Sequence, residues 1–286
     1  MDRAGGAAAL RVTTRNARFQ QWEALLANRA KRQRSREFLV QGVRAITMAV
    51  RSGWDIRELL YNADVRLSEW ARDTRDSVKA NRFAVASELM AELGGKLEAT
   101  PELLAVVALP EDDLGRIPVG PDLLGVVFDR ATGPGNIGTL IRSADAFGAS
   151  GVIVTGHAAD VYDPRSVRAS TGSLFAVPVV RAASHRPVLD WVHALRARGI
   201  PVRLVGADEH GELDVASYGF TAPTVVLVGN ETSGLSAAWR EACDHLLRIP
   251  MSGSASSLNA ATAASIILYE SARQRAAGLP ASTREW

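Results

Sequence analysis

From residue 123 onward, apolar runs alternate with helical patterns. The runs at 123–128, 151–155, 176–180, 202–206, 224–228 and 246–249 are short and mostly rich in Val, Leu and Ile. A strand covered on both faces has no polar side to alternate with, so such runs predict a parallel sheet flanked by helices. The first third is patterned differently. Phe38-Leu39-Val40, Arg57 to Tyr61, Arg82 to Val85 and Leu103 to Leu109 predict four strands, with helices near 42–52, 66–79 and 87–94 between them. Residues 12–36 predict one more helix, with Phe19, Trp22, Leu25 and Leu26 on one side and Arg15, Arg18, Arg29 and Arg32 largely elsewhere. Pro110 to Pro121, with Glu111, Asp112, Asp113, Gly115, Pro118 and Gly120, reads as a connecting segment. The pattern therefore predicts a small α/β domain over 1–110, a linker over 111–121 and an open α/β domain over 122–286, with Ala277 to Trp286 as a loose tail. With 286 residues, each domain can bury its own core.

Composition excludes several classes. At 47% hydrophobic and 22% charged residues the chain reads as soluble and globular. No long uncharged apolar run suits a membrane span, and Ala4 to Leu10 is too short, and too soon followed by Arg11, for a secretory leader. A cytoplasmic protein without a membrane partner is expected. Cys243 is the sole cysteine, which excludes an internal disulfide and a cysteine-built zinc site, and the five histidines lack metal spacing. Metal-free chemistry is expected.

The formal net charge is only +2, but it is unevenly placed. Residues 1–51 hold 11 Arg or Lys against three acids, while the remainder is mildly acidic. A basic end on an acidic body points to a polyanion such as RNA. A solvated helix face would look the same in isolation.

Three segments carry candidate chemistry, each where a predicted strand runs into a loop or helix. The first is Gly135-Asn136-Ile137-Gly138, with Arg142 behind it. The second is Gly229-Asn230-Glu231-Thr232-Ser233-Gly234-Leu235. In the third, Ile249-Pro250-Met251 leads to Ser257-Leu258-Asn259. Glycine permits close backbone approach, and Asn, Glu and Ser supply hydrogen-bonding groups. Gly133 to Gly138 also satisfies the dinucleotide pattern G-x-G-x-x-G. However, four residues separate its first glycine from Phe128, Pro134 removes a donor, and the position of the ribose-binding acid is Thr155 or Gly156. Taken singly, Asn136 and Asn259 read as helix N-caps, Arg142 as a surface arginine paired with Asp145, and Glu231 as part of a strand-to-helix turn.

Together the three segments resemble the signature motifs of the SpoU (TrmH-like) branch of the SPOUT superfamily. Its members transfer a methyl group from S-adenosylmethionine to an RNA ribose. The resemblance implies a C-terminal open parallel-sheet domain with a deep trefoil knot, and a homodimer formed through that domain. On this likeness Asn136, Arg142, Glu231, Ser257 and Asn259 are catalytic, with Arg142 on the family's principal catalytic position. Leu204, Val205, Gly206, Gly229, Asn230, Ile249, Met251 and Leu258 would hold the cofactor. The family usually has Gly directly after the Glu, whereas here Thr232 and Ser233 intervene, so the shape of that loop is open. Arg165 and Arg168, in a segment of family character from Tyr162 to Ser173, are candidate phosphate contacts, as are Arg15 and Arg18. Glu37 to Arg44 resembles the start of the ribosomal-protein-like substrate-binding domain that precedes many SpoU domains. Arg15 to Trp22, Ala158 to Pro164 and Gly253 to Asn259 resemble the avilamycin-type (orthosomycin) resistance methyltransferases, which modify a uridine ribose of 23S rRNA.

Methylating a 2′-hydroxyl requires in-line approach to a sulfonium methyl and loss of a proton from a weakly acidic alcohol; positioning supplies much of the rate. An arginine serving as general base is physically awkward, because holding a group with pKa above ~12 neutral at pH 7 costs roughly 7 kcal/mol. The better expectation is that Arg142 clamps a substrate phosphate and stabilises the developing alkoxide, with phosphate or water sharing the proton. The rival readings are a tRNA ribose methyltransferase of the same branch, a non-enzymatic RNA-binding module, and, further off, a dehydrogenase.

Overall fold

The computed structural model describes residues 10–95 and 99–277. It forms two compact units, one of Met1–Pro110 with Tyr162–Phe175 and the other of Glu111–Val161 with Ala176–Trp286. The expected tail lies outside the described residues from 278 onward. The segment 162–175 packs with the first unit although its sequence lies beyond the linker.

The first unit runs β1 (Leu10–Val12), α1 (Ala17–Ala27), α2 (Arg29–Ser35), β2 (Glu37–Gln41), α3 (Val43–Arg51), β3 (Ile56–Asn62), α4 (Glu69–Ser77), β4 (Asn81–Val85), α5 (Ser87–Gly94) and β5 (Leu103–Ala108). Its five-stranded sheet has the order β1-β4-β3-β5-β2, with β5 antiparallel to both β2 and β3 and the other pairs parallel. The single helix expected over 12–36 is two. The chain extends at Asn28, whose side chain accepts from the Lys31 amide and restarts the helix. The short strand β1 escaped the apolar pattern because only Val12 of its three residues is buried. Trp22 anchors the core, its Nε1 donating to Glu58 Oε2 at 2.6 Å and its ring meeting Phe83 edge-on at 5.2 Å. A second aromatic set joins Phe38 and Trp54 to Tyr162 and Phe175, and Trp54 Nε1 donates to the Phe175 carbonyl at 3.0 Å. These contacts tie the 162–175 segment to its unit.

The second unit adds β6 (Leu124–Asp129), α6 (Pro134–Ala146), β7 (Gly151–Thr155), β8 (Val179–Ala182), α8 (Arg186–Ala197), β9 (Arg203–Ala207), β10 (Leu213–Asp214), β11 (Thr224–Val228), α9 (Ala237–Ala242), β12 (His245–Arg248) and α10 (Ala260–Ala277); α7 (Pro164–Ser170) belongs to the first. Seven strands in the order β10-β12-β9-β11-β6-β7-β8 pair in parallel throughout. This is the parallel α/β sheet expected from the apolar runs. The expected linker is built into this unit: Ile117 is buried and Arg181 grips Asp112. A Cβ on Gly151 would meet Ile117 at 2.8 Å, so the close packing requires glycine there. Helix α6 buries Ile137, Leu140, Ile141 and Ala144, as their spacing predicts. It packs on α10 through a Ser143–Ser265 hydroxyl pair at 2.7 Å and an edge-on contact of Phe147 with Tyr269.

Candidate active site

The central strands β6 and β11 are neighbours, and the loops that leave their carboxyl ends are stitched together. Such loops are where open parallel sheets hold ligands. Glu231 is the hub: Oε2 accepts from the Thr132 amide (3.2 Å) and hydroxyl (3.0 Å), and Oε1 from Asn136 Nδ2 (2.9 Å) and the Gly133 amide (3.4 Å). Burial pushes the Glu231 carboxyl up, but the donors from Asn136, Thr132 and the backbone outweigh it and hold it below the ordinary carboxylate value. It is therefore a carboxylate at neutral pH.

Asn136 lies within the first turn of α6, which is begun by Gly133 and Pro134, so it is not that helix's N-cap. Its side chain bridges Glu231 and Asn259, accepting from Asn259 Nδ2 at 3.2 Å. Asn259 does cap α10, accepting from the amides of Ala261 and Thr262, while its amide group reaches Asn136. The three motifs thus meet in a chain Glu231–Asn136–Asn259. Arg142 is on the exposed side of α6, and Ser257 lies in the exposed loop before α10.

A cavity of about 460 Å³ is lined by the whole Asn230–Gly234 loop, Glu231 included. Val228, Ile249, Met251 and Leu258 supply apolar wall, and Asp208, Glu209, Arg240, Thr232, Ser233 and Ser257 supply polar groups. Of the predicted cofactor residues, Gly229, Asn230, Ile249, Met251 and Leu258 line it. Leu204 and Val205 do not: they are buried in β9, and Gly206 is packed under Leu235, Cys243 and Leu246. The strand reaches the cavity later, at Ala207 and Asp208. The apolar run marked the strand but could not mark its end. Sequence reasoning also missed Arg240, whose guanidinium pairs with the Asp208 carboxylate at 2.5 Å. An i,i+32 ion pair leaves no local pattern to find.

The two residues that depart from the family pattern form a closed bulge. Asn230 and Gly234 exchange both backbone hydrogen bonds at 3.0 Å, and Asn230 Oδ1 accepts from the amides of Thr232 and Ser233. A Cβ on Gly229 would lie 2.1 Å from the Gly234 carbonyl carbon. The glycine is thus demanded by the chain's own backbone.

In the first unit, Arg168 and Arg44 border a smaller groove of about 250 Å³ with Gln41, Gly42, Val43 and Val167. Arg168 Nη2 donates to Gln41 Oε1 at 3.4 Å and Arg44 Nε to the Thr171 carbonyl at 2.9 Å. Arg165 pairs with Asp163, the N-cap of α7, and Arg15 pairs with Glu92. Arg18 contacts Glu58 at 3.2 Å and lies over the Phe83 ring.

A parallel sheet whose central loops bring these three motifs together defines a SpoU-type methylase domain, and the comparisons with known proteins agree. The chain belongs to the SpoU rRNA methylase family: that family's model matches residues 124–269, and the SpoU L30e-like domain matches residues 16–105. It is 61% identical over 276 residues, 96% of each chain, to a 23S rRNA (uridine(2479)-2′-O)-methyltransferase of Streptomyces viridochromogenes. Its fold matches the crystal structure of the SpoU methyltransferase AviRb of that organism in complex with AdoMet, with a TM-score of 0.89 and 62% identity over 93% of this chain and 100% of that one. An AdoMet-bound rRNA methyltransferase of Sinorhizobium meliloti superposes with a TM-score of 0.81 at 29% identity, covering 93% of this chain and 98% of its own.

Proposed function

We propose that this protein is an S-adenosylmethionine-dependent methyltransferase that modifies the 2′-hydroxyl of a uridine ribose in 23S rRNA. The observation that carries the reading is the Glu231–Asn136–Asn259 chain, in which α6 joins the two loops, before α9 and before α10, that wall the 460 Å³ cavity. The 61% identical relative bears that activity in its name, over nearly the full length of both chains.

The cavity suits the cofactor chemically. Its volume lies in the range of small-molecule sites. Met251 and Leu258, 41% and 37% exposed, present apolar surface suited to an adenine, and Asp208, Thr232 and Ser233 offer hydrogen bonds to ribose and the amino-acid tail. When bound, S-adenosylmethionine supplies an electrophilic sulfonium methyl. The protein's own residues do the rest. Ionised Glu231 orients the Asn136 amide, which in turn holds Asn259. Asn259 and Ser257 fix the loop beside the reacting hydroxyl. Arg142 clamps the adjoining phosphate and stabilises the alkoxide as it forms, and the proton leaves to phosphate or water. Arg15, Arg18, Arg165 and Arg168 bind RNA phosphates, with Arg44 beside Arg168 as a further contact. Working in the cytoplasm as a homodimer through a knotted catalytic domain, as the family resemblance implies, the enzyme would protect ribosomes from an orthosomycin. The added methyl removes a ribose donor and adds bulk without touching base pairing.

The test is to incubate the purified protein with S-adenosylmethionine and either 23S rRNA fragments or tRNA, and to map 2′-O-methyl positions. One methylated uridine in 23S rRNA is expected. Methylation of tRNA alone would favour the tRNA enzyme, and uptake of RNA without cofactor would favour a binding module.

A further inference from the structure

Arg130 follows β6 in the left-handed region, at φ +51°, a conformation that costs a residue with a side chain and persists only when its surroundings hold it. Here they do. Its amide donates to the Thr155 carbonyl (2.9 Å), and its carbonyl accepts from Asn230 Nδ2 (2.8 Å). The guanidinium spans two structures. Nε donates to Asp129 Oδ2 at 2.9 Å, while Nη1 reaches Ser233 Oγ at 3.3 Å and Nη2 the Gly234 carbonyl at 3.0 Å. Asp129 is a firm anchor, because its side chain is 6% exposed and its other oxygen accepts from the buried Thr155 hydroxyl at 2.9 Å.

Asn230, Ser233 and Gly234 all line the cavity, and Arg130 is not among its lining residues. The arginine thus holds residues of the cavity wall without itself lining it, and one of the two loop contacts made by its guanidinium is Ser233, within the insertion that departs from the family pattern. An isolated exposed ion pair would contribute little. This one joins a buried carboxylate to the backbone and hydroxyl of the loop, from outside the network that Asn230 and Glu231 make within it.

We propose that Arg130 is a positioning residue for cofactor binding: braced on Asp129, it holds the Asn230–Gly234 bulge in the shape that accepts S-adenosylmethionine. The proposal rests on reading the cavity as the cofactor site.

Calorimetric titration of the full-length protein with S-adenosylmethionine tests it, with RNA binding and unliganded melting temperature measured alongside. Arg130→Ala is expected to raise the cofactor Kd about 10- to 30-fold, the scale of charge-assisted hydrogen bonds lost from a part-buried site. Arg130→Lys keeps a cation beside Asp129 but cannot reach both loop acceptors, so several-fold weakening is expected. Ser233→Ala should weaken binding by about twofold. RNA affinity should be unchanged in all three. Wild-type cofactor affinity in both Arg130 variants overturns the proposal. So does a parallel fall in RNA affinity and unliganded melting temperature in Arg130→Lys, which would mark the arginine as merely structural. If the wild-type protein itself takes up no S-adenosylmethionine, the cofactor reading fails, and this proposal with it.

Discussion

The basic surface of the first unit and the stitched loops of the second hold their polar side chains in opposite ways. Arg15 and Arg165, with side chains 63% and 69% exposed, each pair with one acid at the surface. Pairs of this kind are worth little in water and exchange readily for a phosphate. Arg18 is the exception, since Glu58 is largely buried and also accepts from Trp22. At the cavity, Glu231 accepts from Thr132, Gly133, Asn136 and Asn230, and Asn136 accepts from Asn259, so each side chain fixes the next. Such mutual satisfaction pre-organises a site, because moving one group leaves others unpaired. On the proposed function the contrast becomes a division of labour: adaptable charges for a large polyanion, a rigid network for one atom of it.

Substitutions should break the two regions differently. The largest effect is expected from Arg142→Ala, with methyl transfer to a 23S rRNA fragment falling about 10²- to 10³-fold, the scale of one lost electrostatic stabiliser. Arg142→Lys should retain part of the rate; a loss as complete as that of alanine would show that the guanidinium itself is required. Next comes Glu231→Gln, which places an amide NH2 among donors and should lower kcat by one to two orders of magnitude at pH 7 while leaving RNA affinity intact. This pair of proteins also has a pH signature. A carboxyl held below its ordinary value contributes stability that is complete above the unfolded-state value and is lost as pH falls through the folded one. The stability advantage of wild type over Glu231→Gln in denaturant melts should therefore be largest near neutrality and vanish in acid.

On the basic surface, Arg168→Ala and Arg44→Ala should each lower the slope of log Kd against log salt by about one, with kcat at saturating RNA preserved. An unchanged slope in both would remove their groove from the RNA footprint. Smallest of all, Asn28→Ala should cost about 1 kcal/mol in a thermal melt through loss of the α2 cap, without altering catalysis.

The parallel sheet was legible because strands buried on both faces write their burial directly into composition; β6, β7 and β11 are examples. Strand β10, two half-buried residues long, writes nothing. The Glu231–Asn136–Asn259 chain was legible only as three separate motifs. Their convergence depends on β6 and β11 being neighbours despite lying almost 100 residues apart, a property of topology that no local window contains. Gly229 shows the converse. Its need for glycine was visible, but the cause is the returning Gly234 backbone rather than an approaching ligand. Asn28 was missed because helical periodicity continues through a cap that resets it.

The stretch 162–175 carries a practical consequence for anyone cutting this protein into pieces. A fragment ending at Pro110 would lack Tyr162 and Phe175, and the aromatic faces of Phe38 and Trp54 that they cover would open to water. Exposed rings of that size invite self-association. A soluble fragment of the first unit would therefore need the distant segment grafted back through a short tether, or those two faces made polar.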